Sequence, residues 1–339
     1  MKKNALILLF ALGTLLISCA KVENISPAEE ISYVVGSYSP STKATLNSEG
    51  ITDFRSKAWL HTNAGSSSLY GNAGETISYS NSLWSPSQAY YWPKAPTSYI
   101  NFVSWYDNGG TPLVTETSIT WTDRTIGGSD NIMFADAAWR YNSGLVPTLF
   151  HHALAQVKFQ AKASTLSNDG LTYAITFNSV TLNNVHKTGS LSLINADPLS
   201  TQTVEWTNPQ GGTPAWAPDE LEVPSTISHV ESASITTVDG SGNDPNIVMG
   251  FTSVLPQAID DITVTLCYSI RTNMASGYYL IENMTSEVRL ADFSGSPDEW
   301  TMNHRTTYTI TINPITNTIQ FVPSTVDWRT DTSNTLYVE

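Results

Sequence analysis

The amino-acid sequence predicts an all-β protein, and three observations carry that prediction. Short runs of alternating apolar and polar residues recur between turn-forming residues. Few segments sustain helical periodicity. Charged residues make up only 14% of the chain against 40% hydrophobic ones, so its polarity comes from Ser, Thr, Asn and Gly, a composition that suits extracellular β-sandwiches. A length of 339 residues predicts about two domains.

The chain opens with Lys2 and Lys3, followed by an apolar run from Ala5 to Ile17. That run is too short for a membrane-spanning helix, which needs about 20 residues, and it fits the core of an export signal over 1–18. It stops at Leu16-Ile17-Ser18-Cys19, which resembles a bacterial lipobox. In such a motif the thiol takes a diacylglycerol, the chain is cut before it, and the new amino terminus is acylated with a fatty acid such as palmitate. Several acyl chains anchor stably, at about 0.8 kcal/mol per buried methylene. The other cysteine, Cys267, lies in the strand-like run DITVTLCYSI and reads as a small buried hydrophobe.

Net charge is −14, and loss of the signal with its two lysines makes it −16. Nucleic acid and anionic membrane surfaces are therefore poor partners.

After the signal, Ile31, Tyr33 and Val35 alternate with Ser32, Val34 and Gly36, a short strand with one apolar face. A Ser/Pro-rich stretch follows that carries one basic residue, Lys43, and such a stretch is a site of proteolytic nicking. The aromatic cluster 84–106 holds Trp84, Tyr90, Tyr91, Trp92, Tyr99, Phe102, Trp105 and Tyr106. Its two-sided apolarity predicts sandwich core, with a sugar-stacking platform as the alternative. In FHHALAQVKF, the residues Phe150, Ala153, Leu154 and Val157 fit a helical stripe, while His151, Ala153, Ala155, Val157 and Phe159 fit a strand. The segment 162–170 reads as a linker. Beyond it, strands are expected at 170–182, 189–193, 260–270, 276–284, 306–315 and 317–328.

No catalytic or metal-binding set emerges. His151 and His152 are adjacent, and in a strand they face opposite ways, so they cannot chelate one ion together. No G-x-S-x-G elbow is present. Asp260-Asp261 and Asp298-Glu299 flank turn residues and read as solvated turn acids rather than glycosidase carboxylates. The chain is expected to be neither an enzyme nor a cofactor protein.

Several pieces in order resemble the fimbrillin family, the lipoprotein-derived pilins and related surface proteins of Bacteroidales. They are the lipobox Cys19, STKAT (41–45) before ITDFRSKAWL (51–60), YYWPKAPTSYINFVSWY (90–106), LFHHALAQVKFQAK (149–162), SVLPQ (253–257) and WTMNHRTTYTITINPITNTIQFVPSTVDW (300–328). The resemblance implies two tandem transthyretin-like β-sandwich domains, at 44–165 and 166–339, and makes FHHALAQVKF a strand. It implies a lipidated propeptide at 19–43, handled by lipoprotein export machinery and held at the cell outer membrane. An extracellular protease then cuts after a basic residue.

The family's cutting residue is usually Arg; the matching position here is Lys43 before Ala44, with Arg55 or Lys57 as other basic residues nearby. Cleavage at Lys43 takes the charge only from −16 to −15, so charge does not drive assembly. On this reading the displaced strand is that of Ile31, Tyr33 and Val35. The donor strand is implied near 315–339, with Ile319, Phe321, Val326 and Trp328 as its apolar side chains. The same residues also read as the last strands of the second domain. The implied partners are other pilin subunits in a homo- or hetero-polymer, and host or bacterial surface receptors or glycans. The alternative is a permanently lipid-anchored surface protein that binds glycans through the cluster 84–106.

Overall fold

A computed structural model describes residues 29–37, 51–71, 73–163, 172–194, 203–207, 219–222, 234–236, 247–274, 276–313 and 318–328. Among them there is no α-helix. The first run of strands is β1 (Ser32–Ser37), β2 (Asp53–Thr62), β3 (Gly65–Ser68), β4 (Glu75–Ser80), β5 (Leu83–Pro86), β6 (Tyr99–Asp107), β7 (Leu113–Val114), β8 (Ser118–Thr125), β9 (Ile132–Ala135), β10 (Ala138–Tyr141) and β11 (Leu145–His152). The second run is β12 (Ala155–Ala163), β13 (Thr172–Val185), β14 (Thr188–Ile194), β15 (Thr203–Thr207), β16 (Asp219–Glu222), β17 (Ser234–Thr236), β18 (Ile247–Val254), β19 (Gln257–Ala258), β20 (Thr263–Met274), β21 (Gly277–Arg289), β22 (Glu299–Trp300), β23 (His304–Asn313) and β24 (Thr318–Asp327).

The largest sheet has the order β10-β6-β9-β11-β1-β5-β4-β2-β3. Strand β2 also pairs with β6, from Arg55↔Trp105 to His61↔Tyr99. The order therefore closes on itself: β6, β9, β11, β1, β5, β4, β2 and back to β6. Closure pairs each of those seven strands on both sides, and only the short β10 and β3 remain as ends of the sheet. Alternation sends Ile100 and Phe102 of β6 into the ring, while Val103 and Trp105 point out into a second core. That second core lies under the sheet β15-β14-β8-β7 and takes Trp121, Leu191 and Leu193. Both faces of β6 are thus covered, as its two-sided apolarity predicts.

A third core sits between the sheets β18-β12-β23-β24 and β16-β13-β20-β21. Val157, Phe159, Tyr308 and Ile310 meet Ile175, Leu182, Leu266 and Tyr268 there. On β20 the core face is Val264, Leu266, Tyr268 and Ile270; Cys267 is half-buried on the opposite face, not the core residue expected.

The pairings do not follow a division at residue 165. Strand β12 pairs with β18 and, in parallel, with β23 from Gln156↔Arg305 to Ala163↔Ile312, so 155–163 serves the third core. In return, β14 and β15 join β8 and serve the second. The segment FHHALAQVKF is two strands, β11 and β12, broken at Ala153-Leu154, which are buried at the junction. The break lets the chain leave one sheet for another, which simple alternation does not reveal.

Burial in the third core pushes the Tyr308 hydroxyl up to about 12, although Trp300 Nε1–H donates to it at 3.1 Å. A tyrosine raised in the folded state adds stability that is complete below the ordinary value near 10. That stability drains away as pH rises from 10 towards 12, because the unfolded chain gives up the proton first. Urea midpoints should hold from pH 8 to 9.5 and fall above 10, and Tyr308→Phe should flatten part of that fall.

Candidate functional site: the seat of the first strand

Strand β1 is a stave of the closed ring. On one side it runs parallel to β11, from Ser32↔Leu145 to Ser37↔Phe150. On the other it pairs antiparallel with β5 at Tyr33↔Trp84. Just before it, Ile31 N–H donates to Tyr90 O at 2.8 Å and Trp92 N–H to Glu29 O at 3.0 Å. The strand forms because alternation sends Ile31, Tyr33 and Val35 inward while Val34 stays 51% exposed. Pro147 of β11 stands opposite Val34 and has no N–H to give, so the β11 ladder lacks a donor there.

Tyr33 is the centre of the seat. Its ring meets Phe54 and Phe102 edge-on, at 5.6 and 5.8 Å. Its hydroxyl lies 2.9 Å from the Tyr70 hydroxyl and donates to Ser56 Oγ at 3.2 Å. Ser104 Oγ donates to the same Ser56 oxygen at 3.0 Å. All four residues are buried, and burial pushes the Tyr33 and Tyr70 hydroxyls well above the usual tyrosine range. The cluster is held by hydrogen bonds in an otherwise apolar interior. The strand was expected from its alternation, but the hydroxyls facing it were not. The available signal was Ser56 in the inward phase of Phe54-Arg55-Ser56-Lys57-Ala58.

The basic residues near the seat differ in accessibility to a protease. Arg55 lies in β2 between Thr76 of β4 and Trp105 of β6, and Lys57, paired with Val103 of β6, donates its Nζ–H to Val114 O at 3.0 Å. A paired strand cannot be drawn into a protease cleft without unfolding, which sets these two aside as cut sites. Cys19, Lys43 and Ala44 lie outside the described residues. So do residues 38–50, which connect β1 to the ring.

The residues expected as a donor strand lie elsewhere. Ile319, Phe321 and Val326 are on β24, which pairs with β23 from His304↔Asp327 to Asn313↔Thr318. Trp328 follows it and is buried at the junction, stacked on His152 with ring centroids 4.0 Å apart. In the chain as folded, β24 is thus the last strand of the sheet β18-β12-β23-β24. His151 stacks on Phe134 and pairs with Asp136, while His152 points the other way. Asp260, Asp261, Asp298 and Glu299 are exposed.

Burial divides the cluster 84–106, the alternative sugar platform: Tyr91 is 48% exposed and Tyr90, Tyr99 and Tyr106 are half-buried. Trp84, Trp92, Phe102 and Trp105 are core residues, and Trp92 Nε1–H donates to Gly144 O at 3.1 Å. Those four rings are taken up by packing within the protein.

An all-β chain whose ring is closed by its own N-terminal strand is the class that fold and seat define. The family model described as fimbrillin-like matches residues 42–328, and the chain belongs to that family. A fimbrial protein from Bacteroides vulgatus shares the fold at 15% identity and a TM-score of 0.51, over 88% of this chain and 100% of that one. A putative cell adhesion protein from Bacteroides uniformis does so at 16% identity and 0.50, over 89% and 97%. No curated protein matches the chain.

Proposed function

We propose that this chain is a pilus or adhesion subunit, exported as a lipoprotein and assembled by proteolysis-triggered strand exchange. The observation that carries the reading is the position of β1, set between β11 and β5 in a ring that otherwise closes from β2 to β11. Family membership and the fold shared with a fimbrial and a putative adhesion protein support it. The export signal 1–18 delivers the precursor, Cys19 carries the lipid at the outer membrane, and 19–43 is the propeptide. Cleavage after Lys43 severs β1 from the body. Loss of β1 bares the N–H and C=O groups of β11 and β5 and an apolar groove, which a strand from a neighbouring subunit fills. The segment 315–339 is the candidate donor towards such a neighbour, and the core around Tyr33 and the core around Tyr308 are the two tandem transthyretin-like domains. The lipid leaves with the propeptide, and the subunit ends in a surface fimbrium. It works by assembly and performs no catalysis.

A Lys-directed protease followed by native mass analysis tests this. The expected result is one early cut near Lys43 and, once a second pilin subunit is added, a ladder of oligomers in which the two alternate. Lys43→Ala should abolish cut and ladder together, and truncation before Thr330 should abolish the ladder alone. A trimmed chain that stays a folded, inert monomer with that second subunit present would defeat the proposal.

A further inference from the structure

We propose that the seat of β1 selects incoming strands for a tyrosine at the Tyr33 position, and that the partner supplying it is a different chain rather than a second copy of this one. The inference rests on the strand-exchange reading above. The hydroxyls bonded to that of Tyr33 come from Ser56 of β2, which also accepts from Ser104 of β6, and from Tyr70 after β3. None belongs to β1, so all three remain when β1 leaves. Ser56 and Tyr70 are 0% exposed. A strand that brings Phe keeps the edge-on ring contacts but leaves Tyr70 and Ser56 each one partner short in a site sealed from water, which costs more than never having the bond. A strand that brings Val or Leu adds a void. The seats of Ile31 and Val35 on either side are apolar. The motif that fits is therefore apolar-x-Tyr-x-apolar.

Two segments of this chain's own end fail that test in different ways. Ile319-x-Phe321-x-Pro323 has the ring without the hydroxyl. Thr335-x-Tyr337-x-Glu339 has the phenol. Whichever way it runs, it puts Thr335 and Glu339 into the seats of Ile31 and Val35, and a buried, unpaired carboxylate is costly. The chain's own 315–339 segment then serves a groove other than this one.

The test uses the full chain cut once after Lys43, with both pieces retained. Synthetic peptides of sequence 29–37, the same peptide with Tyr33→Phe, 318–328 and 331–339 compete with the retained strand, and native mass analysis reads displacement. The tyrosine peptide should displace at a concentration about tenfold to a hundredfold below the phenylalanine one. Both C-terminal peptides should be weaker than the 29–37 peptide. Equal potency of the tyrosine and phenylalanine peptides would overturn the inference alone, as would full potency of 331–339. Displacement by none would overturn strand exchange, and the inference with it. In the uncut chain, Tyr33→Phe should lower the folding constant about tenfold, and far less on a background of Ser56→Ala with Tyr70→Phe. An equal loss on both backgrounds would also overturn it.

Discussion

Tyr33→Ala is expected to cost about 3–5 kcal/mol of stability, the range for truncating a large buried aromatic. The ring sits between Phe54 and Phe102, and its removal leaves a void that β2 and β6, fixed in their ladders, cannot close. The lost hydroxyl also takes a partner from Tyr70 and one from Ser56, which keeps Ser104. Tyr33→Phe removes only that polar part and should cost about 1–2 kcal/mol. Val34→Ala, at an exposed position of the same strand, should stay within about 0.5 kcal/mol. Urea denaturation followed by circular dichroism ranks the three. A Tyr33→Ala loss no larger than that of Val34→Ala would mean that β1 does not hold the ring closed.

Trp328→Ala should fall in the same range, about 3–5 kcal/mol, for a different reason. Trp328 is 2% exposed and stacks on His152, and its backbone N–H, which the substitution keeps, donates to Asn303 O at 2.9 Å. It shares its core with Ala153 and Leu154, the break between β11 and β12 where the chain passes from one sheet to the other. Trp206 donates its ring N–H to Ala153 O at 2.7 Å in the same place. The loss is therefore expected to loosen the junction between the cores rather than either core alone. Val326→Ala, at an exposed position of β24, serves as the control and should be nearly silent. Limited proteolysis of Trp328→Ala should cut first near 153–154; first cuts inside β20 or β23 would contradict this account.

Strand positions were legible where alternation is local. The inward set of Ile31, Tyr33 and Val35 and the two covered faces of β6 follow from period two. What escaped was pairing between distant segments. Nothing in 30–38 specifies a parallel partner 113 positions on, Leu145 against Ser32. The exchange of β12 and β14–β15 across the expected boundary is equally non-local, because each segment carries the same alternation whichever core it serves. Cys267 was misplaced because its neighbours Leu266 and Tyr268 hold the core face, which puts it on the other. The hydroxyl cluster was missed because Ser56 and Ser104 look like ordinary polar strand residues until β1 is seen to face them.

The central claim is that β1 leaves its seat once it is cut. Val34 and Pro147 stand opposite one another on the exposed side of β1 and β11, and adjacent strands are about 4.8 Å apart, within disulfide reach. Val34→Cys with Pro147→Cys, in a Cys267→Ser chain lacking Cys19, makes a reversible lock. After cleavage at Lys43, excess 29–37 peptide should displace the native segment only from the reduced protein, as read by native mass analysis. Retention of the segment by the reduced protein as firmly as by the oxidised one would contradict the account.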